Sequence, residues 1–347
     1  PAMNFRSLTF ALTATTLLAT ACNAHDVKGV TLDSEGVCTT GVNVEIVKPK
    51  IMLVLDKSGS MANETWDDDA DPATPDATRW ASLHGVVDDL VAGKQDRIDF
   101  GATLFPSVDA TSELADACVM TTDPEVGVAE YNHEAIMHAL PDAGEQVEGG
   151  TPAAAGIEQA VSHLLGLDTE NPRAMILVTD GAANCMEGES GMDKSTVYDE
   201  NLPVAVQDAY DDHGIPTYVI GIDIRNETGS APVANPFEKL NEVAVVGGQP
   251  REGEAMFYDV SDGVELQAAL DSIATSLSCS IALDELPAAN QNIALEVDGL
   301  DESEVESCDD EGWRWAEDGE QRTIELCGDT CARFQASGDL QVDFLCE

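Results

Sequence analysis

Residues 53–63 read Leu-Val-Leu-Asp-Lys-Ser-Gly-Ser-Met-Ala-Asn, LVLDKSGSMAN, and pass without a spacer from an apolar run into a polar turn. The run Ile51 to Leu55 has no polar interruption, as in a strand buried on both faces. Asp56, Ser58 and Ser60 form a D-x-S-x-S string at its end. Alternation lets the three side chains face one point, and Gly59 permits the turn between them. Such a string is either an ordinary polar turn or part of an oxygen ligand set. Distant parts of the chain must decide.

Outward from this stretch, apolar runs of strand length alternate with stretches of helical period. This is the pattern of an α/β fold, a doubly wound and mostly parallel sheet of Rossmann-like type. Trp80, Leu83, Val86, Val87, Leu90 and Val91 recur at three- and four-residue spacing and predict a helix. Ile98, Phe100, Ala102 and Leu104 alternate as a strand, ended by Pro106. Thr151-Pro152 opens a helix with Thr151 as N-cap, and Ile157, Val161, Leu164 and Leu165 form its buried stripe. Further strands are predicted at Ala174 to Val178, Thr217 to Ile222 and Ala255 to Val260. A helix bearing Leu266, Ala269, Leu270, Ile273 and Leu277 closes the unit near Cys279.

In a doubly wound sheet, three segments can meet at the carboxyl edge of the strands, where open α/β folds place their ligands. They are Asp56-x-Ser58-x-Ser60, the helix start at Thr151, and the strand end Thr179-Asp180-Gly181. Together they offer carboxylates and hydroxyls, all hard oxygen donors. Mg2+ takes such a set and keeps several waters, with Mn2+ or Ca2+ as alternatives. No histidine or thiolate takes part, which disfavours zinc and copper.

The stretches "LVLDKSGSM", "GGTPAAAGI" and "LVTDGAANC" together resemble the von Willebrand factor A domain and its metal-ion-dependent adhesion site. The resemblance covers residues 48–279. It implies that Ser58, Ser60 and Thr151 touch the metal directly, with Asp56 and Asp180 acting mostly through water. It also implies that an acidic group of a protein partner completes the coordination.

The chain has 347 residues, 43% of them apolar, so a core can form despite 66 acidic against 16 basic residues and a net charge of −50. That field excludes nucleic acid and anionic lipid surfaces as charge-attracted partners. A salt-adapted surface explains the total, so the metal site rests on spacing and not on charge.

Met3 to Arg6 followed by the apolar Leu8 to Ala19 reads as an export signal, too short to span a bilayer. Leu18-Ala19-Thr20-Ala21-Cys22 resembles the bacterial lipobox, with Ala19 in place of its usual leucine. Cys22 is then the lipidated residue of an outer-membrane lipoprotein; an ordinary signal peptide with an incidental cysteine is the alternative. The remaining eight cysteines, Cys38, Cys118, Cys185, Cys279, Cys308, Cys327, Cys331 and Cys346, predict disulfides in an exported chain. The layout is predicted as a signal peptide over 1–21, an N-terminal segment or linker over 22–47, the α/β unit over 48–279, and a small β domain over 280–347. Cys308, Cys327, Cys331 and Cys346 staple that β domain, and Val42 to Val47 is a candidate extra strand for it. The whole layout is similar to exported lipoproteins of myxobacteria and their relatives. That likeness implies a Cys118–Cys185 pair near the rim and a Cys38–Cys279 pair across the ends of the unit.

Competing motifs fail on spacing. His133 and His138 are five residues apart and diverge by about 140° on a helix, so they cannot share a metal. Asp67, Asp69 and Asp71 mimic the start of a calcium loop, but Pro72 stands at its glycine and Thr78 at its glutamate. The function expected is non-enzymatic: a cell-envelope lipoprotein that binds a divalent metal and, through it, an accessible carboxylate of a protein partner. Metal-assisted hydrolysis, or an envelope protein with a purely stabilising metal, are the alternatives.

Overall fold

The computed structural model describes residues 30–32, 38–42, 48–167, 171–283, 292–308, 310–315 and 323–345. The export signal over 1–21, Cys22 and Cys346 lie outside the described residues, and of Cys38 only the backbone placement is described.

The α/β unit is built on β1 (Lys50–Asp56), α1 (Arg79–Lys94), β2 (Asp99–Phe105), β3 (Val126–Ala129), α2 (Ala153–Leu165) and β4 (Arg173–Thr179). It continues through α3 (Asn201–His213), β5 (Thr217–Ile222), α4 (Pro236–Val246), β6 (Tyr258–Val260) and α5 (Gly263–Ser278). The six strands lie in the order β3-β2-β1-β4-β5-β6, and all but β3 run parallel. Side chains of β1 alternate between two cores, as a pleated strand requires. Ile51, Leu53 and Leu55 pack with residues of α1 and α5, while Met52 and Val54 pack with residues of α2, α3 and α4. The sheet is therefore covered on both faces, which explains the unbroken apolar run. Strand order reverses between β1 and β4, and a crevice opens at such a switch point.

Several boundaries differ from the sequence reading. Thr151 is not an N-cap: Pro152 holds that position, without a side-chain capping bond, and α2 begins at Ala153. The last strand is shorter than Ala255 to Val260 because Ala255 to Phe257 lack ladder partners. The helices α3 and α4 were not anticipated. Their exposed positions include Asp208, Asp211, Asp212, Glu238 and Glu242, which interrupt the apolar period in residues 201–213 and 236–246.

The C-terminal unit is not all β. The helix Asp329–Ser337 packs Cys331 and Phe334 into a core with Ile281, Trp313 and Phe344. Its sheets are Ser280–Ala282, Thr323–Cys327 and Gly312–Trp315, and a five-stranded sheet containing Ile293–Val297 and Leu340–Leu345. The segment read as a linker supplies two strands to the latter sheet, Val30–Leu32 and Cys38–Val42; the second pairs antiparallel with Leu340–Leu345. Cys38–Val42 is a strand here; of the predicted strand Val42 to Val47, residues 43–47 lie outside the described residues.

Cys118 is bonded to Cys185, and Cys308 to Cys327. Cys279 is bonded to Cys331, which corrects the Cys38–Cys279 pair. The bridge ties the end of α5 to the C-terminal helix. Among the described residues no helix is long and apolar enough to cross a membrane.

Candidate functional site

Ser58 precedes the short helix Gly59–Asn63 but makes no side-chain cap with it, so its hydroxyl is turned to other partners. Asp56, at the end of β1, is fully buried. Its Oδ1 accepts from the Ser58 N–H at 2.7 Å, and its Oδ2 accepts from the Thr179 hydroxyl at 2.6 Å. The Ser58 and Ser60 hydroxyls lie 3.0 Å apart, and Ser60 donates to Asp180 Oδ1 at 2.7 Å. A hydroxyl has one proton, so Ser58 is the donor between the two serines. Asp56, Ser58, Ser60 and Asp180 thus form one hydrogen-bonded chain across the switch point. Ser60 is exposed and opens it to solvent.

Thr151 stands in the adjoining loop. The Gly59 N–H donates to the Gly149 carbonyl at 3.1 Å and ties that loop to the serine turn. Asn184 holds Thr151 from the other side: its Oδ1 accepts the Thr151 N–H at 2.8 Å, and its own N–H donates to the Thr151 carbonyl at 2.9 Å. Gly150 is required here, since a Cβ would stand 2.7 Å from Cys185 Sγ and 2.9 Å from Asn184 Oδ1. An open cavity of about 470 Å³ adjoins these loops, lined by Gly59, Asn63, Glu148, Gly149, Gly150 and Asn184 among others.

Three contributors were missed in the sequence. Arg79, at the start of α1, donates to Asp180 Oδ2 at 3.0 Å and also pairs with Asp223. Its side chain is 7% exposed and that of Asp180 2%. Arg79 had no local signal, because it follows the acidic stretch around Asp67, Asp69 and Asp71 and belongs to no ligand string. Asn184 lies within the quoted stretch LVTDGAANC without having been singled out, and Asp223 belongs to no recognisable string. Asp223 has a φ of 49°, the left-handed region that only a few side chains adopt readily.

Burial, and then the negative charge of Asp180, push the Asp56 carboxyl up to about 7, against the opposing hydrogen bonds from Ser58 and Thr179. Burial also raises Asp180, opposed by the Arg79 guanidinium. Lys57 is buried as well, but its ammonium turns to the Glu148 carbonyl at 3.0 Å. Two sequestered carboxylates lie beside three hydroxyl-bearing residues, and this donor set is chemically fit for a hard divalent cation. Asp67, Asp69 and Asp71 do something else: Oδ1 of each accepts a backbone N–H two residues on, at 3.3, 3.0 and 3.0 Å, as in Asx turns.

No known family matches the chain, and no curated protein does. Among solved structures, two of the pilus adhesin SpaC from Lactobacillus rhamnosus GG, one of them in an open conformation, are similar over 92% of this chain, at 16% identity and TM-scores of 0.48 and 0.47. The chain spans 42% of that adhesin's length. The PilB minor pilin from Streptococcus sanguinis is similar over 67% of this chain and 62% of its own, at 13% identity and a TM-score of 0.43.

These findings correct the family expectation. The SpaC and PilB structures are described as a pilus adhesin and a minor pilin, not as von Willebrand factor A domain proteins. Among the described residues no group of three or more His, Cys, Asp or Glu side chains is placed to hold a metal. The assignment to that family, and the narrower likeness to myxobacterial lipoproteins, are withdrawn. What stands is a mixed α/β chain with a mostly parallel six-stranded sheet and a polar, largely buried cluster at its switch point.

Proposed function

We propose that the switch-point cluster is a binding site that works through a divalent cation. Asp56, Ser58, Ser60, Thr151 and Asp180 would hold the ion, Mg2+ in the first place and Mn2+ or Ca2+ as alternatives. Two carboxylates suffice, because Mg2+ keeps water in its remaining positions and does not need three acidic ligands. The observation that carries the reading is the linkage of two buried carboxylates at the sheet's switch point: the Ser58 N–H bonds Asp56, and the Ser58 hydroxyl leads through that of Ser60 to Asp180. When bound, the ion would supply positive charge at the rim for an acidic group of a protein partner.

Binding is favoured over catalysis because the Asp56 carboxyl, raised to about 7, is fully buried and taken up by the Ser58 N–H and the Thr179 hydroxyl, and Asp180 is taken up by Arg79 and Ser60. His163 accepts from the Val128 N–H at 2.9 Å and His133 pairs with Asp88, so both serve the scaffold elsewhere. The setting proposed is the cell envelope, with Cys22 as lipid anchor to the outer membrane and adhesion or complex assembly as the task.

Calorimetry and thermal melting with Mg2+ test the reading. Metal at about a hundred times its dissociation constant should stabilise the parent by roughly 2.7 kcal/mol. Asp180→Ala should lose the effect. If both chains melt alike with Mg2+ and with chelator, the site holds no metal. Metal-dependent retention of an acidic partner by the parent, abolished in Asp180→Ala, separates adhesion from a purely stabilising ion.

A further inference from the structure

Arg79 lies at the centre of a charge arrangement that the proposed ligand set does not explain. Its guanidinium bridges Asp180, at the end of β4, and Asp223, at the end of the neighbouring β5. Its backbone N–H is fixed by the Glu64 carbonyl at 3.3 Å, at the first residue of a helix capped by Thr78. Arg79 Nε is buried and finds no partner among the described residues, and the side chain is held by its two carboxylate contacts. On the acidic side, Asp180 presents Oδ2 to Arg79 and Oδ1 to Ser60. One carboxylate is therefore divided between a resident cation and the serine turn.

We infer that Arg79 is the internal counter-charge of this rim: it attenuates the affinity of the metal and preserves the ion's positive charge for an external acidic group. The inference rests on the proposed metal reading. An ion held by two fully effective carboxylates is electrically neutral and attracts a further carboxylate poorly. Where Arg79 neutralises Asp180, the ion keeps a net positive charge, and a partner's carboxylate completes the balance. Asp223 tunes this from the far side. By sharing the guanidinium it weakens the hold of Arg79 on Asp180, and its own charge adds to the field that draws the cation. Arg79 is thus a positioning residue, which acts on metal and partner through Asp180.

The test compares the full chain with Arg79→Gln and Asp223→Asn. Mg2+ affinity is read by calorimetry, and acetate binding to the Mn2+-loaded protein by relaxation of the acetate protons. Arg79→Gln should bind Mg2+ about tenfold more tightly, as loss of a charge near a partly buried ion requires, and acetate more weakly. Asp223→Asn, an isosteric change at a side chain 42% exposed, should bind Mg2+ roughly threefold more weakly and acetate more tightly. Unchanged or weaker Mg2+ binding in Arg79→Gln, or unchanged or tighter Mg2+ binding in Asp223→Asn, overturns the inference. A structural role alone would lower metal and acetate binding together in either variant, and that result also overturns it. Should Arg79→Gln fail to fold, the opposite shifts in Asp223→Asn decide. A parent chain that binds neither Mg2+ nor Mn2+ overturns instead the metal reading on which all of this rests.

Discussion

The Thr179 hydroxyl donates to Asp56 Oδ2 at 2.6 Å, linking the ends of β4 and β1 across the point where strand order reverses. Neither group has water as an alternative, since Asp56 is fully buried and Thr179 is 2% exposed. Thr179→Val keeps the shape and deletes the donor. The variant should lose roughly 1–3 kcal/mol of stability in urea denaturation, the cost of leaving a buried acceptor unpaired. An unchanged midpoint would show that Asp56 finds another donor.

Gly150 gives a test of loop packing at the cluster. A Cβ there meets Asn184 Oδ1 and Cys185 Sγ, both under 3.0 Å, and Asn184 holds Thr151 by two hydrogen bonds. Gly150→Ala should destabilise by about 1–3 kcal/mol as an overpacked site, and should shrink any Mg2+-induced rise in melting temperature. Equal Mg2+-induced rises in parent and variant would separate Thr151 from the ion.

The Cys118–Cys185 bridge closes a loop with a sequence separation of 67 and leads directly into the Asn184–Thr151 contacts. Replacing both cysteines by serine should cost about 2–4 kcal/mol in denaturant unfolding. Hydrogen exchange should rise first in the segments around Gly150 and Asn184. Uniform exchange across the sheet would argue against a local effect.

His163 sets a pH dependence. Burial lowers its pKa below the ordinary 6.5, against the nearby Asp123, and its Nε2 accepts the Val128 N–H that pins the edge strand β3 to α2. Its pKa is lower folded than unfolded, so the unfolded chain takes up the proton first. The His163 contribution is complete above about pH 6.5 and is lost as pH falls through the lower folded value. Chemical denaturation between pH 7.5 and pH 5, with His163→Gln as reference, should show a steeper fall of stability in the parent. Parallel profiles would remove His163 as the cause.

Much of the sheet was legible because its code is local. Ile51 to Leu55 and Ala174 to Val178 are unbroken apolar runs, and burial on both faces requires them to be. The strings around Asp56, Thr151 and Asp180 sit at element ends, so a reading of strands and helices places them on one rim. Helices α3 and α4 escaped because each buries only four residues and exposes apolar ones such as Val204 and Val245, which blurs the stripe. The extra strand at Cys38–Val42 escaped because its partner Leu340–Leu345 lies about 300 residues away, and a ladder at that separation leaves no local trace.

Sequence by itself determined the alternation of strand and helix, the oxygen-rich character of the strand ends and the absence of a zinc-type ligand set there, since these follow from period, residue type and spacing. It also suggested a family that comparison with known proteins does not bear out. Tertiary structure alone decided which charges meet. Arg79 reaches Asp180 and Asp223 across 101 and 144 residues, and Cys279 takes Cys331 as its partner, because packing of helix ends against strand ends sets distances that sequence separation does not encode.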